Sequence, residues 1–170
     1  MSLTALLAAA QILSALAVAL TLIVLLVSIR QNTRAQRLLA VESLTAAIAA
    51  INVPAIESPA LGAAVAKALG DWRSASREER IMAHYFLFSF FKLVETAWYQ
   101  RRAGILEHGQ WLGWETAIRQ YYHSPGVAEV WWPRRRHAYS PEFQAYLAST
   151  RPPEGLGTLG DIFDAAGDSA

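Results

Sequence analysis

Glu95 is the carboxylate with the strongest case for a special role in this sequence. Helical spacing places it near a stripe of apolar residues, and a carboxylate on such a face must find a partner or lose its charge. We therefore predict a structural ion pair between Glu95 and an arginine. A catalytic acid or base and a polar ligand site are the alternatives. The apolar residues are Ile81, Tyr85, Phe88, Phe91 and Trp98, and the candidate partners are Arg102, Arg119 and Arg135.

The four histidines do not have the spacing of a metal site. None of His84, His108, His123 and His137 has another histidine three or four residues away, and the chain has no cysteine. The H-E-x-x-H pattern of zinc enzymes is absent. Neither a G-x-S-x-G nucleophile motif nor a phosphate-binding P-loop occurs, and the glycine-rich residues 155–160 follow no predicted strand. We predict no metal, no cofactor and no enzymatic activity.

A second segment combines two tryptophans with three arginines, and it has two interpretations. Aromatic rings prefer the headgroup level of a bilayer, and clustered arginines attract anionic lipid on the cytoplasmic side. The segment therefore suggests a membrane-interface patch, with membrane lipid as its partner. The alternative is that both tryptophans belong to the core. The residues concerned are Trp131, Trp132, Arg134, Arg135 and Arg136.

The elements that must position these residues begin with an N-terminal membrane span. The first 29 residues carry no charged side chain and are mostly apolar, and Arg30, Arg34 and Arg37 follow at once. About 20 apolar residues in a helix cross a bilayer. Because positive residues stay on the cytoplasmic side, we predict an uncleaved span with its N-terminus outside and residues 30–170 in the cytoplasm.

Two further sets of residues suit helix–helix association. Small and weakly polar side chains recur every three or four residues within the span, where they let two helices approach closely. The segment after the span contains no Gly or Pro until Pro54, and its apolar residues repeat at helical spacing. We predict that both faces contact other membrane-protein subunits or a second copy. The first set is Ala10, Gln11, Ser14, Ala17 and Thr21, and the second is Leu38, Val41, Leu44 and Ile48.

The remaining chain predicts an all-α protein with about four to five helices after the long first one. Pro54 is expected to end that first helix, and Ser58-Pro59 to begin the next. Ser76 with Glu79 forms a capping box that opens a core helix over 77–103. Helices are also expected over 107–122, over 126–137 with a break at Pro133, and from Ser140-Pro141 onward. The domain prediction is an anchor at 1–29, a helical stalk at 30–53, a compact domain at 54–150 and a flexible acidic tail at 151–170.

Composition limits the classes of partner. The net charge is only +1, so we predict no nucleic-acid partner. All six Trp and all six Tyr follow residue 70, which favours a well-packed domain over disorder.

The order of motifs resembles a widespread class of uncharacterised bacterial proteins with one N-terminal membrane helix and a cytoplasmic helical domain. The resemblance covers about residues 10–148, implies location in the bacterial inner membrane, and implies no activity. It rests on Ile29-Arg30-Gln31-Asn32-Thr33-Arg34, on Phe91, Glu95, Tyr99, Gln100, Arg102 and Gly104, and on Trp131, Trp132, Arg135, Ser140, Pro141, Glu142 and Phe143.

The function we expect from these features is non-catalytic. The chain is predicted to be an oligomeric scaffold or an accessory subunit of a membrane assembly. The alternative is a membrane-anchored, ligand-binding sensor with an aromatic pocket near Glu95, lined by Phe88, Phe91, Trp98 and Trp111.

Overall fold

The computed structural model of the protein describes residues 2–155 and Leu159, without the side chains of Ala5 and of residues 8–10. Within this part of the chain all regular structure is helical, so the all-α prediction is confirmed there. Most of the predicted acidic tail, residues 156–158 and 160–170, lies outside the residues that the structure describes. The helices are α1 (Leu3–Glu57), α2 (Pro59–Gly70), α3 (Arg77–Arg102), α4 (His108–Tyr122), α5 (Trp132–Arg135) and α6 (Pro141–Ser149). A π-helical turn (Val127–Trp131) precedes α5, and a 3-10 turn (Arg136–Ala138) follows it.

The chain divides into two compact units, one ending at Leu39 and the other beginning at Ala40. The first unit is the long apolar part of α1. Its described large apolar side chains are exposed, and from Gln11 onward the helix is long and apolar enough to cross a membrane. The boundary differs from the predicted divisions after residues 29 and 53, because residues 40–53 belong to the second unit.

Helix α1 does not end at Pro54 as predicted but continues to Glu57. Proline inside a helix removes one backbone hydrogen bond and opposes the helical conformation of the residue before it. Tertiary packing offsets that cost here, since Ile51 and Ala55 on either side of Pro54 pack against the core of the second unit. The Pro54 carbonyl also accepts a hydrogen bond from the Ser58 backbone N–H at 3.0 Å.

Helix α3 is the central element of the second unit. Its buried side chains are apolar apart from Glu95, half of the apolar ones are aromatic, and they form one cluster with residues of the surrounding helices. Burying a side chain of this size stabilises the fold by about 1.5–3 kcal/mol relative to leaving it exposed. The fully buried large members are Phe91, Phe143, Leu69, Leu87, Leu106, Ile118, Leu147, Val94 and Val127.

Local signals in the sequence set most of the helix ends. Ser58 and Ser140 cap α2 and α6 through their side-chain oxygens. The predicted capping box at Ser76 and Glu79 is present, and α3 ends one residue earlier than predicted. Gly104 follows with a φ of 71°. Glycine is the residue that adopts this left-handed conformation at least cost.

The break predicted at Pro133 takes the form of the π-helical turn. The Trp132 N–H donates to the Val127 carbonyl, five residues back. Pro133 has no N–H and would clash with the carbonyl four residues before it in a regular helix. The wider turn relieves that clash. It also places Trp131 and Trp132 together in the core.

Candidate functional site

Glu95 has an ion-pair partner, but the partner is a lysine one turn away on the same helix. Its Oε2 lies 2.9 Å from Lys92 Nζ, and its Oε1 accepts from the Ser140 backbone N–H at 2.7 Å. Burial by itself raises the pKa of a carboxyl, but the hydrogen bonds from Lys92 and Ser140 outweigh it. The pKa of Glu95 is therefore lowered below its ordinary value of 4.5. The carboxylate stays ionised and fastens the start of α6 to α3.

Lys92 completes this connection. Its ammonium donates to the Ala138 carbonyl at 2.5 Å and lies 4.5 Å from the centre of the Tyr139 ring, a distance typical of a cation–π contact. Both oxygens of the carboxylate and the ammonium thus have structural partners. The arrangement has the geometry of a packing constraint between α3 and the 138–140 segment.

The three arginines predicted to pair with Glu95 have other partners in the described structure. Arg102 stacks over the Trp98 ring at 4.8 Å. Arg119 donates to the carbonyls of Arg151 and Pro152 at 2.7 and 3.2 Å. Arg135 contacts a histidine, as described below. The predicted partners were wrong because the nearest cation came from the i,i+3 position on α3 itself.

Trp131 and Trp132 are core residues, and the membrane-interface interpretation is wrong for both of them. They are 2% and 6% exposed, and both rings pack against Phe91. The neighbouring Arg134 and Arg136 are exposed, and Arg135 is half-buried. The segment therefore presents Arg134 and Arg136 to solvent and its aromatic rings to the core.

The four side chains predicted to line an aromatic pocket near Glu95 belong to the core or pack against it. Phe91, Trp98 and Trp111 are buried, and Phe88 packs against the same cluster. Trp98 contacts Phe143 at a ring-centre distance of 5.7 Å. These side chains therefore pack against one another in the core of the second unit.

His84 lies in a polar cluster at the edge of this core. The Trp131 indole Nε1–H lies 3.1 Å from His84 Nδ1, and Arg135 Nη2 lies 2.8 Å from His84 Nε2. Burial, followed by the charge of Arg135, lowers the pKa of His84 below its ordinary value of 6.5. His84 is thus a neutral imidazole at neutral pH, and both of its nitrogens face N–H donors.

An apolar groove lies on the second unit along both sides of the end of α1. One part, with a volume of about 510 Å³, is lined by residues that include Ile56, Ala63, Val65 and Phe86. The other part, of about 400 Å³, includes Pro54 and Tyr85 among its lining residues. Neither lining contains a charged side chain. Ile56, which lines the first part, is 79% exposed, and Val53, three residues earlier on α1, is 44% exposed. We refer to this surface as the α1 groove.

The second predicted association face has an intramolecular role. Leu44 is 3% exposed, and Val41 and Ile48 pack against the core of their own unit. Leu38, in the first unit, is 64% exposed. Three of the four residues were therefore wrongly expected at a surface available to another subunit. Their helical repeat indicated burial correctly but did not identify the partner.

Residues of the first predicted association face are exposed in the first unit. They are Gln11, Ser14, Ala17 and Thr21, while the side chain of Ala10 lies outside the described residues. The hydroxyl of Thr21 donates to the Ala17 carbonyl at 2.8 Å. Arg30 and Arg34 are exposed, as is Arg37.

Sequence reasoning missed three features of this unit. Lys92 was not among the predicted partners of Glu95, although its i,i+3 spacing to Glu95 was visible. His84 was considered only as a metal ligand. The α1 groove had no signal in the sequence, since it arises where α1, α2 and α3 meet.

Comparison of the chain with models of protein families, with curated proteins and with solved structures finds no match.

Proposed function

We propose that the protein is a single-pass membrane protein whose helical unit is a non-catalytic subunit that associates with a second copy of itself. The observation that carries the proposal is the α1 groove with its exposed Val53 and Ile56. The long apolar first part of α1, none of whose most apolar stretch is buried, supports the membrane span. The three arginines after the span support the orientation with the N-terminus outside. The membrane we propose is the bacterial inner membrane.

The chemistry of the α1 groove favours an apolar partner surface. A concave lining without charges offers no ion pair to an acidic or basic partner. Its binding free energy comes mainly from burying apolar area, at about 25 cal/mol per Å². Exposed contiguous apolar surface on a folded unit is typical of interaction sites.

The groove and its rim are suited to self-association. Ile56 is an exposed apolar side chain at the edge of a concavity that is itself lined by small and apolar residues. In a two-fold dimer the same patch occurs on both copies, so the Ile56 side chain of each copy would insert into the groove of the other. Confinement to a membrane raises the effective concentration of the two copies and permits a weak contact to be populated.

The test is the mass of the full chain after extraction in a mild, uncharged detergent, measured by native mass spectrometry or light scattering. We expect a defined multiple of 18.7 kDa. Ile56→Asp should shift that species to monomer, because it places a charge in an apolar contact. Leu112→Asp is the matched control, since Leu112 is 48% exposed and does not line the groove.

Three results would contradict this proposal. A monomeric wild-type protein at all concentrations would remove the homo-oligomer. A second protein that co-purifies in fixed ratio would replace the second copy by a foreign subunit. Equal effects of Ile56→Asp and Leu112→Asp would show that the groove is not the contact.

A further inference from the structure

The cluster around His84 contains more hydrogen-bond donors than it can satisfy. A neutral imidazole has one N–H and one acceptor nitrogen. Indole and guanidinium groups only donate, yet Trp131 Nε1 and Arg135 Nη2 each face one nitrogen of His84, at 3.1 and 2.8 Å. Two donors therefore compete for one acceptor, and the imidazole N–H faces a donor instead of an acceptor.

Arg135 adds to this surplus. Its Nε is buried and has no hydrogen-bond partner. Among the described residues no carboxylate forms an ion pair with Arg134, Arg135 or Arg136. Buried polar groups in folded proteins normally have partners, and an orphaned donor requires an explanation. The donors of this cluster are suited to an acceptor that carries negative charge.

We propose that His84 and Arg135 form a binding site for a phosphate group. One phosphate oxygen lies between His84 Nε2 and the Arg135 guanidinium and accepts a hydrogen bond from each. His84 then carries its proton on Nε2, and its Nδ1 accepts from Trp131 alone. The conflict at His84 disappears, because its Nδ1 then accepts from one donor and its Nε2–H faces an acceptor.

Phosphate suits this site better than a smaller anion. Its several oxygens accept from the guanidinium in the paired geometry that arginine provides and from the imidazole at the same time. Arg134 and Arg136 are exposed on either side of Arg135 and add positive charge at the solvent boundary. Arg135 itself is only half-buried, so the group approaches from solvent and requires Arg135 Nη2 to turn away from His84. The phosphate belongs either to a phospholipid headgroup or to a soluble phosphate compound.

This inference does not depend on the self-association proposed above, because the cluster involves α3, the π-helical turn and α5 and none of the lining of the α1 groove. Either proposal can therefore fail without the other.

The experiment is isothermal titration calorimetry on the full chain in uncharged detergent at constant chloride. Two probes are titrated separately, inorganic phosphate and dihexanoyl phosphatidylglycerol. We expect saturable binding of at least one probe with a Kd below about 1 mM, and a loss of about tenfold or more in Arg135→Gln. Arg101→Gln is the matched control, because Arg101 also contacts a histidine, His108, at 3.4 Å, but at a different place. It should bind as the wild type does.

A second measurement uses the wild type and therefore does not depend on whether Arg135→Gln folds. In the wild type, the indole N–H resonance of Trp131, assigned by Trp131→Phe, should shift with the same Kd as the calorimetry. Binding of inorganic phosphate indicates a soluble compound, and binding of the lipid alone indicates a headgroup. The proposal is overturned if neither probe saturates, if Arg135→Gln folds and binds equally well, or if the Trp131 resonance does not respond.

Discussion

Gly126→Ala tests the closest backbone approach in the second unit. Gly126 is buried at the start of the π-helical turn, where it faces α2. A Cβ at this position would lie 1.8 Å from the Ala68 carbonyl oxygen and 3.0 Å from the Trp72 backbone nitrogen. The backbone of Gly126 is in the ordinary right-handed region, with a φ of −62°. Any destabilisation must therefore come from the contact and not from backbone conformation.

The magnitude follows from these distances. A Cβ is essentially never closer than 3.0 Å to such an atom, so the 1.8 Å separation must grow by about 1.2 Å (3.0 − 1.8). The obstacle is backbone, which cannot rotate away as a side chain would. Overpacking of this kind costs about 1–3 kcal/mol, and we expect the upper end. The higher helix propensity of alanine offsets about 1 kcal/mol of this cost. The net decrease in the free energy of unfolding is then about 2 kcal/mol.

The assay is urea unfolding of the full chain in detergent, followed by tryptophan fluorescence. All six tryptophans lie between residues 72 and 132, so the signal reports the second unit alone. A loss of about 2 kcal/mol corresponds to roughly 10 °C in Tm for a unit of this size. Gly113→Ala is the control. Gly113 lies inside α4, and a Cβ added there would have nothing within 4 Å, so the variant should gain about 1 kcal/mol.

We thus expect Gly126→Ala to lower the free energy of unfolding and Gly113→Ala to raise it. If Gly126→Ala is within about 0.5 kcal/mol of the wild type with an unchanged m-value, α2 and the π-helical turn do not meet at this distance. The reasoning about the contact would then be refuted.

Two further predictions concern the polar contacts that fix helix ends. Glu95→Ala leaves the Ser140 N–H without its acceptor and Lys92 without its ion-pair partner, and should cost about 2 kcal/mol, whereas Glu95→Gln retains an acceptor for Ser140 and should cost less. Because the folded-state pKa of Glu95 is lowered below 4.5, its contribution is complete above that pH and is lost as pH falls through the folded pKa. The gap between wild type and Glu95→Ala in urea midpoint should therefore shrink well below pH 4.5, and a constant gap would exclude this charge-based account. Ser76→Ala removes the cap of α3 and should cost about 1 kcal/mol by the same assay. Ser89→Ala, an exposed position inside the same helix, should cost nothing, and equal losses would rule out the cap as the cause.

Short-range signals made the helices of the second unit largely predictable from sequence. Ser58, Ser76 and Ser140 each cap a helix through a hydrogen bond to the residue three positions later. The preference for glycine at position 104 depends only on the backbone conformation of that residue. Such effects depend on neighbours along the chain, so the sequence contains them completely. Pro54 is the exception, because distant side chains packed against the last turns of α1 outweighed its local preference.

The partners of charged and aromatic groups could not be predicted in this way. Glu95 was correctly expected to need a cation, and the i,i+3 spacing of Lys92 was visible in the sequence, but the contact of Glu95 with the Ser140 N–H depends on the distance between two elements. Trp131 and Trp132 had the composition of a membrane-interface segment, and the π-helical turn decided that both face the core.

The sequence by itself therefore determined the helical class, most helix ends and the presence of a long apolar helix, because periodicity, caps and composition are properties of consecutive residues. Only the tertiary structure decided that Val41, Leu44 and Ile48 pack within their own unit, that Ser140 donates to Glu95, and that Trp131 and Arg135 meet at His84. Those contacts join residues up to 51 positions apart. They exist because packing the aromatic core leaves one arrangement of the helices, which no local pattern specifies.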